Sequence, residues 1–287
     1  MNNLTEHQKG LSGVFVAAVL WSSGGLLIKL VTLTPMQISF FRCGIAALTF
    51  LVIFRTSIFK VNFFTFINAS FYAAVLIFYV IAMKMTTAAN AIFLQSTAPI
   101  YVLIFEPLIN KTKFEKANVI TIAVCILGMF LFFLGDLTPG QLEGNIFGLL
   151  AGIFFAAFFI GMRKNKKQYQ QGSIFFGNIL VALICIPFAL EINELTFSNL
   201  WMVSFLGVFQ IAIAYAFFTF GLKRVYAVEA SIISMFEPVL NPFWVFIGYG
   251  EVPSTYAIIG GVIIISAISI RTFNMGKASL KISKFGS

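Results

Sequence analysis

Residues 225–248 read VYAVEASIISMFEPVLNPFWVFIG, an apolar stretch long enough to cross about 30 Å of hydrocarbon as one helix. It nevertheless contains Glu237 directly before Pro238, and Pro242 follows four residues later. A charge at the centre of a membrane helix costs about 2.5–3.5 kcal/mol, whereas each large apolar residue contributes about 0.3–0.6 kcal/mol in return. With about a dozen such residues, the stretch predicts a membrane helix in which the carboxylate of Glu237 faces protein rather than lipid.

The composition of the chain is that of an integral membrane protein. Of its 287 residues, 60% are apolar and only 10% are charged, against about 25% in a soluble domain, and the mean hydropathy is +0.97. The three cysteines, Cys43, Cys125 and Cys185, lie far apart in apolar stretches, and the only histidine is His7. We therefore expect no metal site, no disulfide framework and no cofactor.

Apolar windows long enough to span a membrane recur along the whole chain. Ten can be counted, and the short polar segments between them leave no room for a soluble domain. They cover approximately residues 11–30, 36–54, 62–83, 88–109, 117–135, 145–162, 173–190, 200–222, 225–248 and 254–271. The predicted fold class is an all-α integral membrane protein with ten transmembrane helices.

The distribution of positive charge supports this count and gives the chain an orientation. With the N-terminus inside, most of the 19 Lys and Arg residues fall on inside segments, whereas Lys29 and Lys84 lie at outside ends and Arg42 lies within a span. Cytoplasmic segments of membrane proteins carry such an excess. We expect a multi-pass protein of the inner (plasma) membrane with both termini in the cytoplasm. The net charge of +9 then reflects orientation rather than nucleic-acid binding.

A weak internal repeat divides the chain into halves. A shift of 139 residues places the third and fourth windows on the eighth and ninth. The identical pairs are Lys84 with Lys223, Ala88 with Ala227, Ala91 with Ala230 and Pro99 with Pro238. Because five helices per repeat is an odd number, repeats 1–137 and 138–287 would be inverted, an arrangement typical of secondary transporters with a midplane site. The alternative is a chance alignment of two apolar helices at a proline.

Prolines predict locally broken helices at membrane depth. Pro238 cannot donate to the carbonyl of Ser234, Pro242 cannot donate to that of Pro238, and Pro99 leaves the carbonyl of Gln95 free. Such freed acceptors are tolerated in a membrane only where protein or a water-filled cavity covers them. We interpret these sites as polar wall positions of a cavity, with helix packing alone as the alternative.

Two charges inside the apolar windows are candidates for function. Glu237 is suited to exchanging a proton or binding a cationic group of a cargo, unless it pairs with a buried partner such as Arg42. For Arg42 we expect a structural role, either pairing or reaching the outer interface; the alternative is anchoring a carboxylate or phosphate of the cargo. Further candidates for a cavity wall, each also explained by helix–helix hydrogen bonding, are Asn90, Gln95, Tyr101, Gln210, Tyr215, Asn241 and Trp244.

Taken together, these features resemble the drug/metabolite transporter superfamily and its EamA family across nearly the whole chain. The matching pieces are Trp21 followed by glycines in the first helix, Arg42 in the second, Pro99 in the fourth, Glu237–Pro238 in the ninth, and Gly250–Glu251 directly after it. The chain departs from the family pattern in the first half, where NKTKFE replaces a Gly-Glu turn and Ala98 stands opposite Glu237. A carboxylate function would therefore be confined to the second half.

The resemblance implies a carrier of small metabolites, often amino acids or their derivatives, with a central cavity. The residues that it places in the cavity wall, together with the charge argued above, are Trp21, Tyr79, Gln95, Phe155, Tyr215, Ser234 and Glu237. The predicted function is a secondary-active transporter that exports or exchanges such a compound by alternating access. Its partners would be a small molecule and membrane lipid, and the chain would act as a monomer.

Two other functions remain open. One is a membrane-embedded enzyme or flippase-like protein that acts on a lipid-linked substrate, and the other is a channel-like oligomer. No Walker A, GxSxG or HExxH motif occurs, and such motifs mark ATP-driven pumps and common hydrolases. We therefore expect that the protein is not an enzyme.

Overall fold

The computed structural model describes residues 5–110, 116–135, 141–192, 194–222, 224–225, 233–234 and 236–285. In these residues the regular secondary structure is helical, and no strand is present. The α-helices are α1 (Glu6–Leu30), α2 (Pro35–Phe54), α3 (Phe63–Met85), α4 (Ala88–Gln95), α5 (Ala98–Asn110), α6 (Lys116–Gly135), α7 (Gln141–Lys164), α8 (Gln170–Ala189), α9 (Phe197–Phe205), α10 (Ala214–Leu222), α11 (Phe236–Tyr249) and α12 (Thr255–Phe285). Short 3₁₀ turns follow α2 and precede α8, and a π-helical segment, Leu206–Ile213, joins α9 to α10.

Most of the predicted windows coincide with helices of membrane-spanning length. Within the described residues, seven helical stretches are long and apolar enough to span a membrane. They are Glu6–Leu30, Pro35–Phe59, Phe63–Met85, Ala88–Phe105, Gln141–Met162, Lys167–Ala189 and Phe197–Gly221. Two shorter apolar stretches, Val119–Gly128 and Thr255–Arg271, lie in the fifth and tenth windows. The all-helical membrane class is therefore confirmed, and the count of ten helices stays a prediction.

Side-chain caps fix where several of the spanning helices begin. Thr5, Thr34 and Asn62 each accept a hydrogen bond from the backbone N–H three residues later, and that later side chain bonds back to the cap residue. Thr87 and Thr196 cap α4 and α9 with one such bond. These boxes satisfy backbone donors that the first helical turn leaves open, at the level where hydrocarbon gives way to water.

The fourth and eighth windows contain interrupted helices. The chain leaves α4 at Gln95 and enters α5 at Ala98, and the Thr97 hydroxyl donates to the carbonyl of Leu94 at 2.6 Å. Pro99 follows immediately and has no N–H to extend α4. In the eighth window the irregularity is the π-helical segment. Its sequence contains no proline or glycine pair that would predict it, and such segments occur frequently at functional sites. Pro238 and Pro242 both lie within α11 and are buried.

The helices form a bundle whose two ends are defined by α1. Lys29 lies in the last turn of α1 and Glu6 in its first, so we call these the Lys29 end and the Glu6 end. At the Lys29 end, the Asn199 amide donates to the Thr32 hydroxyl at 2.8 Å. At the Glu6 end, Arg224 pairs with Glu6. In the interior α3 packs on α7 and α8, α2 on α8, and α1 on α10 and α11.

A row of small residues on α7 allows close packing against α3 and α4. A Cβ atom at Gly144 would lie 2.7 Å from the backbone of Met85, and one at Gly152 would lie 2.8 Å from the carbonyl oxygen of Leu94. Such distances leave no space for a methyl group beside a rigid backbone. Small residues at spacing four are the usual means of close helix contact in membranes. The row therefore brings α7 against the break that separates α4 from α5.

We predict that Gly152→Ala lowers the melting temperature of the purified protein. Alanine is favoured over glycine in a helix by about 1 kcal/mol, but overpacking against a backbone oxygen costs about 1–3 kcal/mol. The matched control is Gly44→Ala on α2, where the new methyl group would meet no atom within 4 Å. It should leave the melting temperature equal or slightly higher. Equal behaviour of the two variants would contradict the close α4–α7 contact.

Candidate functional site

Aromatic rings from four helices meet in the interior of the bundle. Trp21 on α1 packs against Tyr215 with ring centroids 5.2 Å apart and against Phe218 at 5.0 Å, both on α10. Tyr215 contacts Tyr72 on α3 edge to face at 5.8 Å, and Tyr72 contacts Phe158 on α7 at 5.0 Å. Phe155 extends this line of rings along α7, 6.4 Å from Phe158. We call these six residues the aromatic cluster.

The glycines after Trp21 let two amides approach the backbone of α1. A Cβ at Gly24 would lie 2.9 Å from Nε2 of Gln210, and one at Gly25 would lie 1.9 Å from Oδ1 of Asn241. Neither position could carry a side chain without displacing the amide beside it. The π-helical segment and α11 are thereby seated directly on α1. This packing explains why a helix of a membrane protein carries adjacent glycines at this depth.

Asn241 links α11 to α3. Its Nδ2 donates to the hydroxyl of Tyr79 at 3.0 Å, and both side chains are buried. Its Oδ1 has no hydrogen-bond partner among the described residues. One turn further along α11, the indole N–H of Trp244 donates to the Ser22 hydroxyl at 3.0 Å. Asn241 and Trp244 therefore connect α11 to α3 and α1 by hydrogen bonds, whereas Oδ1 of Asn241 accepts none from the described residues.

Glu237 lies on the same face of α11 as Asn241, four residues earlier, and is half-buried. Glu237 and Arg42 are both described, and no ion pair joins them. The alternative in which Arg42 neutralises Glu237 is therefore not realised in this structure.

Arg42 does not reach the interface, so the expectation that it extends to the outer surface is wrong. Its side chain is 1% exposed. Its Nε and Nη1 lack hydrogen-bond partners within the described residues. Arg42 is held inside the bundle because α2 packs against α3, α8 and the π-helical segment on its inner side.

The remaining predicted wall residues lie elsewhere in the bundle. Gln95 ends α4 and is half-buried, and its Oε1 has no hydrogen-bond partner in the described part of the chain. Ser234 is half-buried just before α11. The contacts of the described residues join Trp21, Phe155 and Tyr215 in the aromatic cluster, whereas they do not join Gln95 and Ser234 to it.

The sequence arguments missed Tyr72, Phe158, Phe218 and the π-helical segment. Tyr72 precedes Tyr79 by seven residues, which is two helical turns, so both point to one side of α3. That spacing was available as a signal. Phe158 and Phe218 had no such signal, because 36 phenylalanines are distributed over the whole chain and most windows contain several.

A partly buried ion pair closes the Lys29 end of the bundle. Lys29 Nζ lies 2.7 Å from Glu251 Oε2 and donates to the Thr86 carbonyl oxygen, also at 2.7 Å. The other carboxylate oxygen of Glu251 accepts the backbone N–H of Ala88, in the first turn of α4. A carboxylate is favoured at a helix N-terminus by the helix dipole. We call Lys29, Thr86, Ala88 and Glu251 the closure cluster.

The closure cluster joins α1 and the start of α4 to the segment after α11 at the Lys29 end, and reciprocal hydrogen bonds between Asn62 and Asn165 join the start of α3 to the end of α7 at the Glu6 end. Lys84 adds a bond across α1 and α3 at the Lys29 end by donating to the carbonyl of Val31. The Lys29 and Glu251 side chains are 10% and 16% exposed, so water screens their pair only weakly. At the Glu6 end, by contrast, the Glu6 side chain that pairs with Arg224 is 66% exposed. Exposed pairs of this kind contribute about 0–1 kcal/mol.

Comparison with known proteins places the chain in a family. The model of the EamA-like transporter family matches residues 8–134 and, separately, residues 142–273. The chain belongs to the EamA-like transporter family. The resemblance drawn from the motifs is thereby confirmed. The family match assigns this EamA-like chain to the multi-pass membrane transporters. Within its described residues, no group of three or more His, Cys, Asp or Glu side chains could hold a metal ion.

Relatives of this EamA-like chain carry transporter names. An uncharacterized transporter of Archaeoglobus fulgidus is 28% identical over 195 residues, covering 67% of this chain and 70% of the relative. The uncharacterized transporter YdfC of Bacillus subtilis is 25% identical over 90% of this chain and 89% of its own length. The pseudopaline exporter CntI of Pseudomonas aeruginosa is 23% identical over 89% of this chain and 94% of its own.

A solved crystal structure shares the fold of this EamA-like chain. The two superpose with a TM-score of 0.64 at 17% identity, over 94% of this chain and 98% of the other. At this sequence identity, the similarity is evidence for a shared fold only. The helical arrangement described above is therefore one that an experimentally determined protein also adopts.

We predict that Lys29 and Glu251 are energetically coupled. Lys29→Met or Glu251→Met alone leaves one partly buried charge without its partner, so each should lower the melting temperature clearly. The double variant removes both charges and should lose less than the sum of the single losses, with a coupling of about 0.5–3 kcal/mol. A double-mutant cycle on the purified protein measures this coupling. Additive losses would show that the pair contributes nothing to closure.

Proposed function

We propose that the protein is a secondary-active transporter that exports or exchanges a small metabolite, an amino acid or a related compound, by alternating access. The observation that carries the proposal is the interior site itself. An aromatic cluster joins four helices in the interior, and the buried guanidinium of Arg42 lies on α2, which packs against α3 and the π-helical segment. Cofactor chemistry is not part of the proposal, because binding and movement of a cargo need only such a site between helices.

Ten membrane passes in two inverted halves, residues 1–137 and 138–287, form the framework of the proposal. Two separate matches of the family model, to residues 8–134 and 142–273, support a division at this point. The positive charge on one set of segments supports an inner-membrane location with both termini in the cytoplasm. In such a transporter the cargo site lies near the midplane between the halves, where the aromatic cluster draws its residues from both.

The closure cluster would break and re-form as access to the site alternates between the two ends of the bundle. Lys29 and Thr86 belong to the first half and Glu251 to the second, so opening the Lys29 end must separate them. The pair is partly buried, so its charges can separate without a large cost only when water reaches both of them as this end opens. We propose that this end opens when cargo leaves and closes when cargo enters from the Glu6 end.

Glu237 is the proposed coupling or cargo-binding group. A carboxylate at this depth is costly, and the structure contains no cation paired with it among the described residues. A proton or a cationic group of the cargo would provide the missing partner. The protein would then cross its occluded state only when Glu237 is neutralised, which links movement of the cargo to that of the proton or cation.

A groove on the outside of α1 favours a second candidate function. Its volume is about 310 Å³. It is lined by Val19, Leu20, Ser23, Leu26, Leu27, Trp201, Phe205 and Trp244. An apolar groove of this kind suits an acyl chain, so a flippase-like action on a lipid-linked substrate is the alternative.

The first test is a search for the cargo by thermal stabilisation. A panel of amino acids, nucleosides, S-adenosyl compounds and sugars is added to the purified protein, and the melting temperature is recorded. A compound present at 100 times its Kd should stabilise the native state by about 2.7 kcal/mol. A shift confined to one soluble class supports the carrier. If no soluble compound gives a shift and lipid-linked sugars do, the carrier proposal fails in favour of the alternative.

We predict that Glu237→Gln abolishes proton-driven transport while the protein still folds. The variant keeps the shape of the side chain but can neither release a proton nor attract a cation. Uptake of the identified cargo into proteoliposomes is measured with and without a pH gradient. Glu191→Gln is the matched control, because Glu191 is exposed after α8. Full gradient-driven uptake by Glu237→Gln, or a variant that does not fold, would remove Glu237 from the mechanism.

A further inference from the structure

Two 3₁₀ turns meet at the Glu6 end of the bundle. One is Arg55–Phe59, directly after α2, and the other is Lys167–Tyr169, directly before α8; the two turns contact each other. Nδ2 of Asn62 donates to Oδ1 of Asn165 at 2.8 Å, and Nδ2 of Asn165 donates to Oδ1 of Asn62 at 3.2 Å. The chain between α2 and α3 is therefore held beside the chain between α7 and α8. We call these two segments the α2–α3 and α7–α8 connections.

Apolar and backbone contacts fix the α2–α3 connection on the start of α8. A Cβ at Gly172 would lie 2.9 Å from the carbonyl oxygen of Ile58 and 3.0 Å from that of Lys60. The ring of Phe59 packs edge to face on that of Phe175, with centroids 6.0 Å apart. None of these contacts uses a charge. Removal of a lysine charge should therefore leave the two connections in place.

The same region carries a concentration of exposed positive charge. Five cationic side chains on the two connections and at the end of α7 are exposed, and we call them the basic patch: Arg55, Lys60, Lys164, Lys166 and Lys167. None of them pairs with a carboxylate of the described residues. The sequence has no Asp or Glu in residues 7–105 or 144–190, so neither connection contains an acid that could neutralise the patch.

Arg55 has a backbone conformation that favours glycine. Its φ is 47°, and it is the only non-glycine residue with a positive φ in the described part of the chain. A Cβ atom is strained in this region, whereas glycine adopts it freely. Residues held in such conformations cluster at binding sites, where the side chain has a use that offsets the strain. The guanidinium at this turn thus points to a bound anion.

Exposed phenylalanine rings border the basic patch. Phe59 ends the first turn, Phe63 and Phe64 begin α3, and all three are more than half exposed, with Phe63 at 75%. Apolar rings beside cations suit the boundary where the headgroups of a membrane meet its hydrocarbon. A soluble anion would bind the cations and leave the rings in water. A phospholipid would cover both, because it carries a phosphate and acyl chains in one molecule.

We propose that the basic patch binds the headgroup of an anionic phospholipid whose acyl chains lie against Phe59, Phe63 and Phe64. Arginine and lysine are the side chains that bind phosphate best. Lys60 lies on one connection and Lys166 on the other, so a bound headgroup would bridge the two and stabilise their contact. The site is separate from the aromatic cluster, and its occupancy does not depend on which cargo the protein carries.

The test is a lipid titration of the full chain purified in detergent, with the melting temperature as the readout. Dioleoyl phosphatidylglycerol should raise the melting temperature in a saturable manner, because it binds the native state. Dioleoyl phosphatidylcholine has the same acyl chains and a zwitterionic headgroup, and its shift should be much smaller. Equal shifts with the two lipids would overturn the proposal, since the acyl chains alone would then account for the effect.

Glycerol phosphate separates a lipid site from a site for a soluble anion. It supplies the phosphate without acyl chains, so it should give no shift at the concentrations at which phosphatidylglycerol saturates. A shift as large as that of the lipid would show that the patch serves a soluble phosphate compound, and the lipid proposal would fail. Neither titration needs a variant, and neither result bears on the transporter proposal.

Single lysine variants locate the binding at the patch. Lys60→Gln and Lys166→Gln each remove one cation, which is worth about 1 kcal/mol near an anionic membrane surface, and each should raise the half-saturating lipid concentration about five-fold. Lys116→Gln is the matched control, because Lys116 is exposed at the start of α6, which packs mainly on α12. It should leave that concentration unchanged. Equal effects of all three variants, or none, would overturn the proposal in favour of diffuse attraction or no site.

Discussion

A polar group inside hydrocarbon has no water to bond with, and the rest of this structure depends on that constraint. The backbone meets it by forming helices, and the caps at Thr5, Thr34 and Asn62 meet it at helix ends. Charges meet it by pairing, as Lys29 and Glu251 do. The described chain leaves the constraint unmet at Arg42, where Nε and Nη1 are buried without a hydrogen-bond partner.

The helices could be predicted from the sequence because burial in lipid makes almost every residue of a window apolar. Seven predicted windows overlap described stretches of spanning length, and their ends follow from cap residues that can be read directly. The closure cluster could not be predicted, because Lys29 and Glu251 are separated by most of the chain. Of the alternatives for Arg42, extension to the outer interface is not realised, because its depth along α2 was known from the sequence but the covering of that face by other helices was not.

The candidate site was predictable in its residue types and only partly in its arrangement. Trp21 and Tyr215 were expected in the cavity wall from the family resemblance, and the structure places their rings in contact. Pairing of Glu237 with Arg42 was a reasonable expectation from charge alone, yet no ion pair joins these two described residues. Charge decides which groups need partners, whereas packing decides which partners they reach.

The π-helical segment Leu206–Ile213 has a consequence for how this chain is compared with others. A π turn holds one residue more than an α turn, so every residue after it is rotated by about 100° relative to a continuous α-helix. Tyr215, which contacts Trp21, follows this segment directly. A homologue with an unbroken α-helix here therefore needs a gap in the alignment before its side chains can be equated with Tyr215.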